Sequence, residues 1–364
     1  MNNKERFRLL MSGAEPDITP FLIFSELLPG NVFQEQLRQH DIGLIVHAGS
    51  VHTRTEYPVH DEISQGIRRQ TATTPYGTCY AEYRTGHANI SGNGEIQKSY
   101  WIKSPADYAK VVHMLDNTHF DLDSATYMRA LDRLGEDGVT HTWCDEPPYM
   151  GLQYLLGYEK WCLDQYDVPD LFQELMEAYE RLQTRRMTLQ MEAPERDLIC
   201  IGNLSGNYAP ARYEIETKPY FDLWGAKLAA NGCSVTIHAD AINLSKHLDV
   251  FPSPGVSVAE AFTPPPTGDL SLLQARRAWG DQLVFHINVP EAIFYMGHDY
   301  ITAWTKQLLD SDPNPRRFLS FTENGLLGVS GAKLDLYMNG ILAICEAIHE
   351  RTRQPVDTVG AGEL

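Results

Sequence analysis

The chain has 364 residues, 43% hydrophobic and 21% charged, a composition that buries a sizeable core and excludes a disordered polypeptide. With 30 lysines and arginines against 48 aspartates and glutamates, the formal charge of −18 repels a phosphate backbone, so nucleic acid is not an expected partner. No signal-peptide-like run opens the sequence and no uninterrupted apolar stretch of about 18 residues occurs, so no membrane association and a cytoplasmic location are expected.

In chain order, short apolar runs ending in polar residues recur: PFLIFSE (20–26), IGLIVHAG (42–49), THTWCDE (140–146), LICIGNLSG (198–206), SVTIHAD (234–240), VSVAEAF (256–262), QLVFHINV (282–289) and RFLSFTENG (317–325). Successive apolar residues are the mark of strands covered on both faces. Between the later runs, residues 170–192, 214–230, 270–279, 300–309 and 332–353 repeat their apolar positions at three and four, the helical period. Eight strands alternating with helices predict an α/β fold, a single (β/α)8 TIM barrel over residues 1–355. The stretch 70–103 alternates and contains GNG, which predicts a β-hairpin excursion between the second and third barrel strands, lidding the barrel mouth. Residues 356–364 lack pattern and read as a flexible tail. No internal repeat of solenoid or propeller length is found.

Catalytic groups in such a barrel come from the C-terminal ends of the strands, so the last residues of each run are informative. They are polar: Glu26, His47, Asp145 and Glu146, Asn203, His238 and Asp240, Glu260, His286, Glu323 and Asn324. Any one of them alone reads as a cap or an ion-pair partner. His238, Glu260, His286 and Glu323, however, belong to the final four strands, which are neighbours in a closed barrel, and two imidazoles with carboxylates suit a divalent ion, zinc first. His238 and Asp240 stand two apart on one strand and so point to the same side. The metal-free alternative is that these groups bind substrate by hydrogen bonds. Asp145, Glu146 and Tyr149, in Asp-Glu-Pro-Pro-Tyr, place two carboxylates and a phenol where acid–base work is done; a helix cap is the bland reading. His47, with His52 and Arg54, forms a basic spot that could meet a substrate anion or pair locally. Tyr83 belongs with Tyr76, Tyr80, Tyr100 and Trp101 to an aromatic excursion that either packs on the barrel or walls a substrate, and Asn203 and His286 are further substrate-binding candidates.

Six cysteines (Cys79, Cys144, Cys162, Cys200, Cys233, Cys345) show neither C-x-x-C nor C-x-C spacing and read as small buried apolar residues, not as a thiolate zinc site. Walker-type, G-x-S-x-G and G-x-G-x-x-G motifs are absent, which removes the sequence signals of a nucleotide phosphate cradle, a hydrolase elbow and a Rossmann site.

The segments TPYGT (74–78), WIKSPADY (101–108), NGCSVTIHAD (231–240), AEAFTPPPTGDL (259–270), AWGDQLVFHINVP (278–290) and FLSFTENG (318–325) together resemble the uroporphyrinogen decarboxylase superfamily, above all its cobalamin-dependent methyltransferase branch. Uroporphyrinogen decarboxylases proper carry an arginine-rich opening segment that grips substrate carboxylates. FLIFSELLPG (21–30) stands here instead, which disfavours porphyrinogen decarboxylation. The methyltransferase branch holds zinc by a His-x-Cys pair and a later Cys. His238 matches that histidine, while Asp240 and Glu323 stand where the two cysteines would be. The resemblance therefore implies His238, Asp240 and Glu323 as zinc ligands; with Glu260 from the strand-end reading they make an expected site of N and O donors, His286 being the other candidate, and such a site is a stronger Lewis acid than a thiolate one.

It implies an enzyme that moves methyl from a small, O-methylated donor to a corrinoid protein, the leaving oxygen meeting zinc or a proton from Asp145, Glu146 or Tyr149. No D-x-H-x-x-G signature is present, so cobalamin is expected on a partner, with a homodimer allowed. The alternative is a metal-free decarboxylase or lyase acting on a carboxylated substrate.

Overall fold

In the computed structural model, the described residues are 1–28, 35, 37–55, 57–85, 95–204, 210–321 and 331–353. Eight parallel strands close a barrel: β1 (Phe21–Phe24), β2 (Ile42–His47), β9 (Gly138–Trp143), β10 (Leu198–Asn203), β11 (Ser234–His238), β12 (Val256–Phe262), β13 (Val284–Asn288) and β14 (Arg317–Ser320). All eight apolar runs of the sequence supply one strand each. The ring closes through Phe21 beside Leu319, and each remaining strand pairs with its successor, β2 with β9 included.

The strands form because β-branched and aromatic residues fill both faces. FLIF of β1 and VFHIN of β13 are buried throughout. Helices Pro169–Glu192, Lys218–Ala230, Leu272–Trp279, His298–Ser311 and Ala332–Arg353 pack outside, close to the predicted spans. Ser271 starts one of them with a capping box, its side chain accepting from the Gln274 N–H while Gln274 answers to the Ser271 backbone. Between barrel and helices, Phe262, Phe285, Trp279 and Phe251 form an aromatic layer with ring centroids 4.7–6.0 Å apart. Among the described residues no helix is long and apolar enough to cross a membrane.

The excursion after β2 is larger than a hairpin. β3 (Val51–Thr55) pairs with β8 (Thr118–Leu122), and β4 (His60–Ser64), β5 (Ile67–Thr74), β6 (Gly77–Arg84) and β7 (Ile96–Ser99) form a four-stranded antiparallel sheet, with the GNG itself outside the described residues. The Asp123 N–H donates to the Ser50 carbonyl at 2.7 Å and draws the two ends of the excursion together. The sheet meets the barrel at helix Pro148–Leu156: Gln97 Nε2 donates to the Tyr154 carbonyl at 3.2 Å, and the Ile102 N–H to that of Leu155 at 3.0 Å.

Candidate active site

Alternate residues of a barrel strand face inward. On this barrel the inward set of the upper layer is polar: His141 on β9, Cys200 on β10, Thr236 and His238 on β11, Glu260 on β12 and His286 on β13. Glu260 stands at their centre. His141 Nε2 lies 3.0 Å from its carboxylate, Thr236 Oγ1 donates to it at 3.1 Å, and His238 Nδ1 is 3.6 Å away. His238 Nε2 is in turn 3.4 Å from Asp240, so the imidazole sits between two carboxylates. Phe24 joins the histidines from β1: it stacks on His47 at 4.9 Å and meets His141 edge-on at 5.5 Å, while Trp143 meets His238 at 5.8 Å.

The backbone is irregular where these groups converge. Register shifts occur in β10 between Cys200 and Asn203, and twice in β12: between Val256 and Val258, which pair with the consecutive Val235 and Thr236, and between Ala259 and Phe262. Bulges of this kind re-aim side chains. Asp145 (φ 72°) and Ala261 (φ 54°) both occupy the left-handed region that non-glycine residues rarely adopt, and both adjoin the site carboxylates Glu146 and Glu260.

Burial opposes charge on Glu260, but His141 and His238 overcome it and hold the carboxyl well below its ordinary value. His238 is likewise desolvated, but the neighbouring Asp240 and Glu260 carboxylates raise it to about 10, so it is an imidazolium at neutral pH. Glu146 goes the other way. It is only 3% exposed, and burial pushes its carboxyl up to about 7, against the Asn203 N–H that donates to Oε2 at 2.9 Å. His286 is fully buried, stacked on Phe318 at 4.3 Å, and burial brings it down to about 3; among the described residues neither ring nitrogen has a hydrogen-bond partner.

The expected residues fall into three groups. His238, Asp240, Glu260, His286, Asn203 and Glu146 come together at the ends of β9–β13, with Asp145 beside them, where it accepts from the Glu146 N–H at 2.9 Å and meets Arg186 at 3.5 Å. His47 reaches the cluster through its edge-on contact with His141 at 4.7 Å, and its Nδ1 engages Glu26.

Tyr149 and Tyr83 lie elsewhere. Tyr149 packs on Trp161 and donates to Gln165 Oε1 at 3.3 Å, and Tyr83 sits in the antiparallel sheet under the Arg68 guanidinium at 4.6 Å. Of the basic spot, Arg54 pairs with Asp121 at 3.0 Å, while His47 is the member that meets the cluster. Glu323 lies outside the described residues. Sequence reasoning missed His141, Thr236 and Cys200. The available signal was alternation: His141 precedes Trp143 by two, as Thr236 precedes His238, so each shares the inward face with the residue nearer the strand end.

One atom each of His141, Cys200 and Glu260 lie within 4.8 Å of one another, a nitrogen, a sulfur and an oxygen that could hold a metal ion, all buried. The donor types suit zinc, and His141 Nδ1 and both His286 nitrogens, buried in the same layer, have no hydrogen-bond partner among the described residues. Burial pushes the Cys200 thiol well up, so it would have to give up its proton to a metal. Beside this cluster a cavity of about 540 Å³ opens between the ends of β11, β12 and β13, with Asp240 in its wall.

Neither a protein-family model nor a curated protein sequence matches the chain. Among solved structures, a methyltransferase from Methanosarcina mazei matches with a TM-score of 0.51, over 74% of this chain and 75% of that one, at 12% sequence identity. At that identity the likeness is one of fold: the barrel that carries this site is also the scaffold of a methyltransferase.

Proposed function

We propose that this protein is a methyltransferase that moves the methyl group of a small O-methylated donor to a corrinoid protein, with zinc at Glu260 and with Glu146 as the proton donor to the leaving oxygen. The observation that carries this reading is the buried Glu146 carboxyl, brought up to about 7 beside the His238–Asp240 pair at the mouth of the barrel. A carboxyl poised near neutral pH is what a general acid needs. The likeness of fold to a methyltransferase supports it.

His141, Cys200 and Glu260 would hold the zinc, which when bound supplies Lewis acidity to the departing oxygen. Glu146 is held for its task by the Asn203 N–H, and Asp145 discourages its ionisation. His238, fixed as a cation by Asp240 and Glu260, orders the two carboxylates on either side of it. A reduced corrinoid would supply the acceptor for the methyl group, while Glu146 would give its proton to the oxygen as the C–O bond breaks. Cobalamin would arrive on that partner. Large apolar side chains exposed after the strand ends, Tyr154, Ile215, Ile242, Tyr295 and Met296, offer such a protein a docking rim.

The test mixes the purified chain with a reduced corrinoid protein and a panel of methoxylated compounds and follows the cobalt absorption spectrum. Methylation with at least one donor, abolished by a chelator and restored by zinc, is expected. No spectral change with any donor and a proven partner would sink methyl transfer. Less than about a tenth of an equivalent of zinc, with activity indifferent to chelators, would return the site to the metal-free lyase reading.

A further inference from the structure

Resting on the methyl-transfer reading, we propose that the donor is a cation: a small methoxy compound whose ammonium or quaternary-ammonium group lies in the cavity between the ends of β11, β12 and β13, held by Asp240 and Glu291.

The cavity, about 540 Å³, has the size of a small-molecule site. Its charged lining is of one sign. Asp240 and Glu291 contribute carboxylates, Thr263, Thr267 and Asn288 contribute hydroxyl and amide groups, and the remainder is aliphatic apart from the Tyr295 ring. No lysine, arginine or histidine is among these lining residues. Two basic side chains outside the lining pair with these carboxylates: His238, shared by Asp240 and Glu260, and the half-exposed Lys333, 3.9 Å from Glu291.

Glu291 is built into place rather than trailing in solvent. Tyr295 donates to Oε1 at 3.1 Å and Tyr337 donates to the same oxygen from the C-terminal helix Ala332–Arg353. Also in the lining, Asn288 Nδ2 donates to Thr263 Oγ1 at 3.0 Å, tying the ends of β12 and β13 together. A quaternary nitrogen needs no hydrogen bonds. It is recognised by carboxylates at a distance and by an aromatic face, and Tyr295, itself half exposed, supplies the ring. An anionic donor would meet two carboxylates in a protein of formal charge −18, with no base in the wall to receive it. Asp240 belongs to both the cavity and the His238 pair, so a ligand whose cation rests in the cavity extends its other end toward Glu146 and the barrel axis.

The test is a binding series on the full chain by titration calorimetry at low salt. It compares the methyl ether of choline, its uncharged carbon isostere (2-methoxyethyl on a tert-butyl group) and methoxyacetate, with tetramethylammonium as competitor. The choline ether should bind at least tenfold more tightly than the isostere, methoxyacetate should not bind, and tetramethylammonium should displace the ether. E291Q should weaken the cation at least tenfold without changing affinity for the isostere, and E291D should recover part of the loss. Equal or tighter binding of the neutral or anionic compound overturns the proposal, as does unchanged cation affinity in a folded E291Q. If that variant does not fold, the wild-type ligand series decides alone. Because binding needs no corrinoid partner, methyl transfer from uncharged donors with no cation preference would sink this inference and leave the function standing. Cation binding without methyl transfer would do the reverse.

Discussion

Burial raises both Glu146 and Cys200 and keeps both protonated, to different ends. Glu146 keeps its proton up to about pH 7 because the folded chain removes it from water, so activity that depends on its proton should fall as pH rises through about 7. E146Q should lower kcat by roughly 10²–10⁴-fold and erase that alkaline limb. A pH–rate profile checks both, and a variant that keeps the limb would move the proton donor elsewhere. Cys200 is a fully buried neutral thiol that only a bound cation would ionise. If zinc sits with His141 and Cys200, C200A should lose most of the metal while D240N keeps it; the reverse pattern, read by metal analysis of both proteins, would place the ion among His238, Asp240 and Glu260. Reading strand ends made His238, Asp240 and Glu260 legible in the sequence, since polar residues there break an apolar run visibly. His141 was missed because it lies two residues deeper, and Cys200 because a lone cysteine in a run such as LICIG is indistinguishable from a small apolar residue.

At the scale of an element, the bulged end of β10 sets the acid. Gly202 sits at φ 132°, and a Cβ there would lie 2.4 Å from Pro147 Cδ, so the strand can approach the Asp-Glu-Pro-Pro turn only because the side chain is absent. That approach brings the Asn203 N–H onto Glu146. Gly202→Ala should cost about 1–3 kcal/mol through overpacking, measured by urea denaturation. Losing the Asn203 bond, which favours the ionised form, should also shift the alkaline limb of the rate profile upward. A variant of unchanged stability and unchanged limb would show that the approach is not required. The excursion teaches a different limit of sequence reading. The 70–103 alternation reads as one hairpin, whereas β4 is exposed along its whole length and nearly so is β3, so neither buries an apolar face that could print a period-two pattern.

For the whole molecule, the eight runs were legible because a closed barrel covered by helices demands apolar residues on both strand faces, a pattern that survives without any knowledge of contacts. What the sequence could not carry is the balance of charges inside that barrel, and this balance predicts a pH dependence of stability in the metal-free protein. His286, at about 3 folded against 6.5 unfolded, binds fewer protons in the fold, so its contribution is lost as pH falls from about 6.5 toward 3. Glu260, held well below 4.5, adds to the loss on the acid side. His238, raised to about 10, contributes stability that is full below about 6.5 and disappears as pH rises toward 10, and the raised Glu146 costs stability progressively from about 4.5 to 7. The opposing slopes of His286 and Glu146 nearly cancel in the mildly acidic range, which sets the maximum near pH 5–6. Urea midpoints of chelated protein across pH 3–10 should trace that dome. H286F, whose ring can keep the stack on Phe318, removes the main acid-side loss, so its maximum should move below about pH 5. A maximum at pH 7 or above that H286F leaves in place would mean that the histidines and carboxylates of the barrel interior do not carry the charges assigned to them.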